Sequence, residues 1–394
     1  MKILQVQDHL KSGGAARAAG RWACLLKKAG HDVRQAAGDE ASASGFLLSG
    51  KPPRGWGRVL EYLSNREQVR KSRVERQWAQ VLHGEKYDLV WFHNLAGGGK
   101  WGWSEEMVSL AREHAPVLWT LHDMWALADR SESFWDEGSA VESGKGPGAG
   151  SGQVGRCKGS KVTKVCGAEG KCPVTLTAPS KWLAELTKKI SGLGCVHLPN
   201  PIDLAVFRPG DRQAARRQLG LREQGPVVLA GADSLQDSRK GFDLLREAWG
   251  RLPSGRATLA LFGRHGESRP GEHYLGKLNS DEEMVAAYQS ADLYVHPARM
   301  ENAPCTIQES LACGTPVLAF SVGGIPEMIA PDENGFLVEP VGGSALAGGL
   351  EKALRNPSRL AAMGRGCRGA VERDYGPGVL LEKFHRLGPG FSRP

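Results

Sequence analysis

No apolar run in this chain approaches the roughly 18 residues that a membrane-spanning helix requires, so a helical span is not expected. The start, Met1-Lys-Ile-Leu-Gln-Val-Gln7, is too short an apolar run for a secretory leader and has no cleavage site after it, and reads as a strand. No Asp-x-Asp pair occurs anywhere, which disfavours chemistry in which such a pair holds a metal against a diphosphate. No aromatic-basic repeat or recognition motif for nucleic acid is visible, so nucleic acid is not an expected partner. Five of the eight cysteines, Cys24, Cys195, Cys305, Cys313 and Cys367, have no partner spacing and read as reduced thiols. What these absences leave is a cytoplasmic protein, either free or peripheral at the anionic inner face of a membrane.

A length of 394 residues predicts two or three domains. The 52 glycines fit many strand-to-helix turns, and the net charge of +8 favours anionic partners such as sugar nucleotides, lipid phosphates or acidic glycans. The most informative stretch is Ala298-Arg-Met-Glu301-Asn-Ala-Pro-Cys-Thr-Ile-Gln-Glu309-Ser-Leu-Ala-Cys-Gly-Thr-Pro316. It follows a short apolar strand ending at His296, turns into a helix with Pro304 in its first turn, and stops at Gly314. Glu301 then lies at a strand's carboxyl end and Glu309 on the following helix. Two carboxylates can thus face one cleft beside a helix N-terminus that favours phosphate. The competing reading is a pair of solvated glutamates around a helix start.

The rest of the chain alternates strands and helices. A strand over 2–7, a Ser12-Gly13-Gly14 turn and a helix over 15–29 form a phosphate-binding type of beginning, although the turn is not a full Gly-x-Gly-x-x-Gly. Residues 51–86 read as mainly helical, with nine cations against four acids and an apolar side at Trp56, Leu60, Leu63 and Trp78. A solvated helix face and a surface for an anionic membrane or acceptor both fit that pattern. Strands over 87–92 and 116–121 end in His93-Asn94 and His122-Asp123. Residues 131–174 break the rhythm and read as a flexible insertion. This insertion carries Cys157, Cys166 and Cys172, whose spacing fits reduced thiols, a conditional disulfide or, less well, a metal knuckle. A strand over 174–178, a helix capped by Ser180 and a strand over 195–198 complete the first half.

Pro199-Asn-Pro-Ile-Asp203 marks a domain boundary. Beyond it the alternation restarts, with strands expected at 226–230, 257–262, 291–296, 317–320 and 335–338. Between them lie helices at 242–249, 281–289, 343–355 and 357–374. Gly13-Gly14, His93-Asn94, His122, Arg239-Lys240, Gly263-Arg264 and Glu301 all fall at carboxyl ends of strands, the edge at which open parallel sheets bind ligands. If two such sheets face each other, these residues line one cleft. Arg239-Lys240 precedes a helix, where cation and helix dipole act together on a diphosphate, although Arg-Lys beside a turn also reads as a plain charged loop.

Several motifs together resemble the retaining glycosyltransferases of family 4. They are Gly13-Gly-Ala-Ala-Arg17, Leu121-His-Asp-Met-Trp125, Ala178-Pro-Ser-Lys-Trp-Leu183, Pro199-Asn-Pro-Ile-Asp203, Arg239-Lys-Gly-Phe-Asp-Leu-Leu245, Glu301 to Glu309, Gly314-Thr-Pro-Val317 and Gly323-Gly-Ile-Pro-Glu327. Within that family the chain resembles a colanic-acid or exopolysaccharide subgroup. This resemblance implies the GT-B fold: two Rossmann-like parallel-sheet α/β domains facing across a cleft. The acceptor-side domain would span 1–203, the nucleotide-sugar domain 204–375, and a tail over 376–394 would return to the first domain.

The resemblance also implies a metal-independent hexosyl transfer with retention. The donor would be a UDP- or GDP-type sugar, with no other cofactor, and the acceptor a glycan or lipid-linked molecule in cell-surface polysaccharide synthesis. In this reading Glu309 binds the ribose, and Glu301 with Asn302, Ala303 and Pro304 holds the donor sugar. Arg239 and Lys240 hold the diphosphate. Gly13, Gly14, Gly263 and Arg264 complete the donor contacts. His122 lies beside the reacting sugar, with His93, Asn94 and Asp123 toward the acceptor. A sugar-nucleotide epimerase and a non-catalytic binding protein of the same fold are the alternatives. Two departures from the family pattern stand out. Leu235 occupies a position where many members have arginine. The Cys166-Gly-Ala-Glu-Gly-Lys-Cys172-Pro segment is longer than in the subgroup.

Overall fold

A computed structural model describes residues 1–11, 13–40, 45–49, 66–95, 103–127, 160–166, 174–267 and 269–388. Their chain contacts divide them into two compact units. One holds the described residues up to Pro201 together with those from Leu380 onward, and the other those from Ile202 to Val379.

In the first unit, β1 (Lys2–Gln7), α1 (Gly14–Lys28), β2 (Asp32–Ala37), β3 (Phe46–Leu47), α2 (Arg66–Gly84), β4 (Leu89–Phe92), α3 (Glu106–Arg112) and β5 (Val117–Thr120) follow in order. They are joined by α4 (Lys161–Cys166), β6 (Thr175–Ala178), α5 (Lys181–Ser191) and β7 (Val196–His197). The strands form one parallel sheet in the order β3-β2-β1-β4-β5-β6-β7. β4 and β5 are buried at every position, as strands covered on both faces must be, and so their sequences read as continuous apolar runs. One face packs Leu4, Val6, Trp78, Phe92 and Trp119. The other packs Ile3, Trp22, Trp91 and Leu118 against Leu380, Phe384 and Leu387 from the C-terminal end of the chain.

The second unit contains α6 (Arg212–Gln218), β8 (Val227–Ser234), α7 (Phe242–Gly250), β9 (Thr258–Arg264), β10 (Glu272–Tyr274), α8 (Asp281–Ser290), β11 (Leu293–His296) and α9 (Cys305–Ala312). β12 (Val317–Phe320), β13 (Gly335–Val338), α10 (Gly343–Leu354) and α11 (Pro357–Tyr375) follow, and α12 (Pro377–Arg386) leads back into the first unit. Its sheet, also parallel, runs β10-β9-β8-β11-β12-β13. Arg368 of α11 ties the segment after the boundary in place by donating to the carbonyls of Leu204 and Phe207.

The structure departs from the sequence reading at several points. β2 and β3 had no expectation. Asp32-Val-Arg-Gln-Ala-Ala37 has little apolar alternation, and its strand state comes from pairing beside β1. Pro304 is the residue before α9 rather than part of its first turn, because its ψ of 121° is still extended. Ser280 caps α8, in a reciprocal box with Glu283. Cys166 is disulfide-bonded, which removes it as a metal ligand. Cys157, Cys172, most of the 131–174 insertion and the 51–65 part of the basic segment lie outside the described residues. No described helix is long and apolar enough to cross a membrane.

Candidate functional site

Each sheet has one place where neighbouring strands send their chains in opposite directions, and open parallel sheets collect ligands at that switch point. In the second unit it lies between β8 and β11. The turn after β8 carries Lys240 and the loop after β11 carries Glu301. Their side chains meet, with Lys240 Nζ 2.6 Å from Glu301 Oε2. His296, the last residue of β11, brings Nε2 to 3.6 Å from the same oxygen. Burial raises the Glu301 pKa, but the Lys240 charge and His296 outweigh it and hold the carboxyl well below the usual range. Burial also lowers the His296 pKa, with Glu301 opposing that shift. The result is an anion fixed between a cation and a neutral ring.

Backbone contacts fix the three loops around this pair. Arg299 N donates to the Arg239 carbonyl at 3.0 Å. The Arg299 guanidinium reaches the Ser238 carbonyl at 2.7 Å and Asp243 in the first turn of α7. Gly241 has φ +68°, and a Cβ there would lie 1.9 Å from the Pro297 carbonyl oxygen. On the other side, Gly324 N donates to the Glu301 carbonyl at 3.1 Å. Gly323, at φ +56°, would put a Cβ 1.9 Å from that same oxygen. Only glycine lets both loops come this close. After Asn302, Ala303 and Pro304, α9 begins with no side-chain cap, close in sequence to Glu301.

The other expected donor residues are held differently. Arg239 folds back on Asp237, donating to both carboxylate oxygens at 3.0 and 2.8 Å, with its side chain 57 % exposed. Arg264 pairs with Asp233 of β8. Gly263 has φ +138° and abuts the Ala232 carbonyl. Glu309 is 0 % exposed, so it is not a solvated carboxylate, and Tyr288 OH donates to it at 2.9 Å. His296, Tyr288, Asp237 and Arg299 were not legible in advance. His296 ends an apolar strand, and Asp237 and Arg299 flank predicted site residues, whereas Tyr288, inside α8, carried no such signal.

In the first unit the switch point lies between β1 and β4. Gly13, at φ 92°, precedes α1 with no side-chain cap, and a Cβ at Gly13 or Gly14 would meet nothing within 4 Å. His93 and His122, at the ends of adjacent strands β4 and β5, come together with Nδ1 of the first 3.2 Å from Nε2 of the second. His93 is only 1 % exposed. The ring is enclosed, and it faces His122. The Asn94 carbonyl accepts Asp8 N at 3.0 Å, and Asp123 Oδ1 accepts Trp125 N at 2.9 Å in a local turn.

Residues 211–369 match the family described as Glycosyl transferases group 1. The matched segment lies within the second unit. All the residues just described around Lys240 and Glu301 fall inside the group 1 segment; those of the first unit fall outside it. Among curated relatives, a D-inositol 3-phosphate glycosyltransferase of Segniliparus rotundus is 32 % identical over 43 % of this chain and 41 % of its own. A GDP-mannose-dependent monoacylated alpha-(1-6)-phosphatidylinositol monomannoside mannosyltransferase of Corynebacterium glutamicum is 29 % identical over 48 % of this chain and 55 % of its own. The chain thus spans about half the length of these curated relatives. Over nearly the whole chain the fold is that of sucrose-phosphate synthase from Thermosynechococcus elongatus (TM-score 0.74, 19 % identity, 98 % of each chain). It is also that of Anabaena Alr3699/HepE in complex with UDP-glucose (TM-score 0.69, 18 % identity, 99 % of this chain and 100 % of the other). The fold class is GT-B, with two parallel-sheet α/β domains.

Proposed function

We propose that the protein is a retaining hexosyltransferase that moves a sugar from a nucleotide diphosphate donor to a hydroxyl of a glycan or lipid-linked acceptor. The observation that carries this reading is the Lys240–Glu301 pair beside the uncapped start of α9, at the switch point of the group 1 segment. A cation and helix N–H groups suit a diphosphate, and a carboxylate kept ionised suits sugar hydroxyls. Lys240, with Arg239 released from Asp237, would meet the charge that grows on the leaving diphosphate. The chain has no Asp-x-Asp pair, so this task is assigned to those cations and to backbone N–H groups.

In the proposed step the acceptor oxygen bonds to the anomeric carbon on the face from which the phosphate oxygen departs. The acceptor's proton passes to that phosphate oxygen, and configuration is retained. Asn302 to Pro304 would line the sugar, with Gly263 and Arg264 completing the donor contacts. Glu309, enclosed under Tyr288, would form the floor of the ribose subsite. Gly13, Gly14 and His122, with Asn94 and Asp123, are assigned to the sugar and acceptor side of the first unit. Two relatives are named for inositol phosphate and phosphatidylinositol mannoside acceptors, which supports a phosphorylated or lipid-linked polyol alongside cell-surface glycans. Such an acceptor would bring the protein to an anionic membrane face.

The test is a thermal-shift screen of UDP-, GDP- and ADP-sugars, since a ligand that binds only the folded protein raises its stability. It is followed by acceptor assays with NMR reading of the product anomer. Failure of every nucleotide sugar to stabilise the protein, or a product of inverted configuration, overturns the proposal.

A further inference from the structure

We infer that His93 is a positioning residue that sets the tautomer and ring orientation of His122. A neutral imidazole carries one N–H, and the hydrogen bond made by one nitrogen decides which nitrogen of the partner ring is protonated. His93 Nδ1 and His122 Nε2 are 3.2 Å apart, so one donates and the other accepts. The surroundings of His93 choose between them. Its Nε2 is buried and has no hydrogen-bond partner among the described residues. A proton there would be an unmet buried donor, whereas a proton on Nδ1 is met by His122. His93 therefore carries Nδ1–H. His122 must accept through Nε2, which leaves its own proton on Nδ1. Burial lowers both pKa values, that of His122 to about 4, so both rings are neutral near neutral pH.

The His93 ring is also held from turning. It stacks on Trp91 of β4, two residues earlier, with centroids 4.7 Å apart and planes at 25°. Phe384 of α12 also stacks against Trp91, at 5.4 Å and 18°. Trp91 Nε1 donates to Thr120 Oγ1 at 2.8 Å, and Thr120 shares a further hydrogen bond of 2.8 Å with Thr177. Strands β4, β5 and β6 and the returning C-terminal helix thus fix the Trp91 indole on which the His93 ring lies. The consequence rests on the proposed placement of His122 beside the reacting sugar. A His122 with its proton on Nδ1 serves as a donor from that nitrogen, and its Nε2 is already engaged, so it is not the base for the acceptor hydroxyl.

The test reads the tautomer directly. Long-range ¹H–¹⁵N correlation spectra of the full chain at neutral pH should show His122 with a protonated Nδ1 and an unprotonated Nε2, the signals being assigned with a His122→Asn spectrum. His93→Leu removes the donor and should move His122 to a tautomer mixture. In transfer assays it should lower kcat at least tenfold, with the donor KM within twofold of wild type. His93→Asn, which keeps an N–H donor close to the same position, should restore both the spectrum and most of kcat. A wild-type His122 protonated on Nε2 overturns the inference without any variant, as does an unchanged His122 spectrum in His93→Leu. If the spectra behave as expected but no sugar is transferred, the proposed function fails and the tautomer assignment stands.

Discussion

Lys240→Met isolates the pair on which the functional reading turns, because methionine keeps much of the apolar stem and removes the charge. In the folded protein the Lys240 and Glu301 side chains are 32 % and 21 % exposed. An exposed pair contributes about 0.2–1 kcal/mol, and removing one partner of a buried pair costs about 3–5 kcal/mol. Partial burial puts this variant near 2 kcal/mol, which for a unit of this size lowers Tm by about 4–8 °C. The pH dependence has a definite sign. The Glu301 pKa is depressed in the folded state from its ordinary 4.5. Its contribution is therefore fully present above pH 4.5 and is lost as pH falls through the lower folded value. The stability gap between wild type and Lys240→Met should be widest near pH 7 and shrink below pH 4.5. On binding, loss of one charge-assisted contact worth about 1.5–3 kcal/mol predicts a nucleoside diphosphate Kd weaker by roughly 10- to 100-fold. Calorimetric titration and thermal melts across pH measure both effects. A lowered Tm with the diphosphate Kd unchanged within twofold would refute the assignment of Lys240 to the ligand and leave the pair purely architectural.

Gly323→Ala should abolish donor stabilisation and lower Tm by more than Lys240→Met does, since the new Cβ meets the Glu301 carbonyl at 1.9 Å in a left-handed backbone. Gly348→Ala, in α10 with nothing within 4 Å, should be neutral or stabilising by up to about 1 kcal/mol; equal effects of the two would undo the steric argument. Glu309→Ala removes the buried acceptor of Tyr288 and should cost about 1–3 kcal/mol as well as weakening nucleotide binding; nucleotide affinity equal to wild type would exclude Glu309 from the ribose subsite. His93 and His122 have pKa values lowered from 6.5, so the stability that their neutral forms contribute is full above pH 6.5 and falls as pH drops toward 4. His93→Leu should flatten that part of the stability profile in pH-resolved melts, and an unchanged slope would contradict the burial of the pair.

The sequence alone determined the repeating units. Apolar runs such as Leu89-Val-Trp-Phe92 and Val317-Leu-Ala-Phe320 state that a strand is covered on both faces, and the glycines and prolines between them mark the turns. It also indicated the edge of the sheet on which Lys240, Glu301, His93 and His122 would lie, because each falls in the segment that follows such a run. It did not give β2, whose polar residues become a strand only through pairing with β1. Which residues touch was decided by tertiary structure. Strand order brings the ends of β8 and β11 side by side and so joins Lys240 to Glu301 across 61 positions. It likewise brings β4 beside β5 and puts His93 against His122. Helix packing encloses Glu309 beneath Tyr288, and the turn at Asp237 draws Arg239 back on itself. Periodicity records whether a residue faces water or core, but partnership between distant side chains is set by strand order and register, which a linear pattern does not carry.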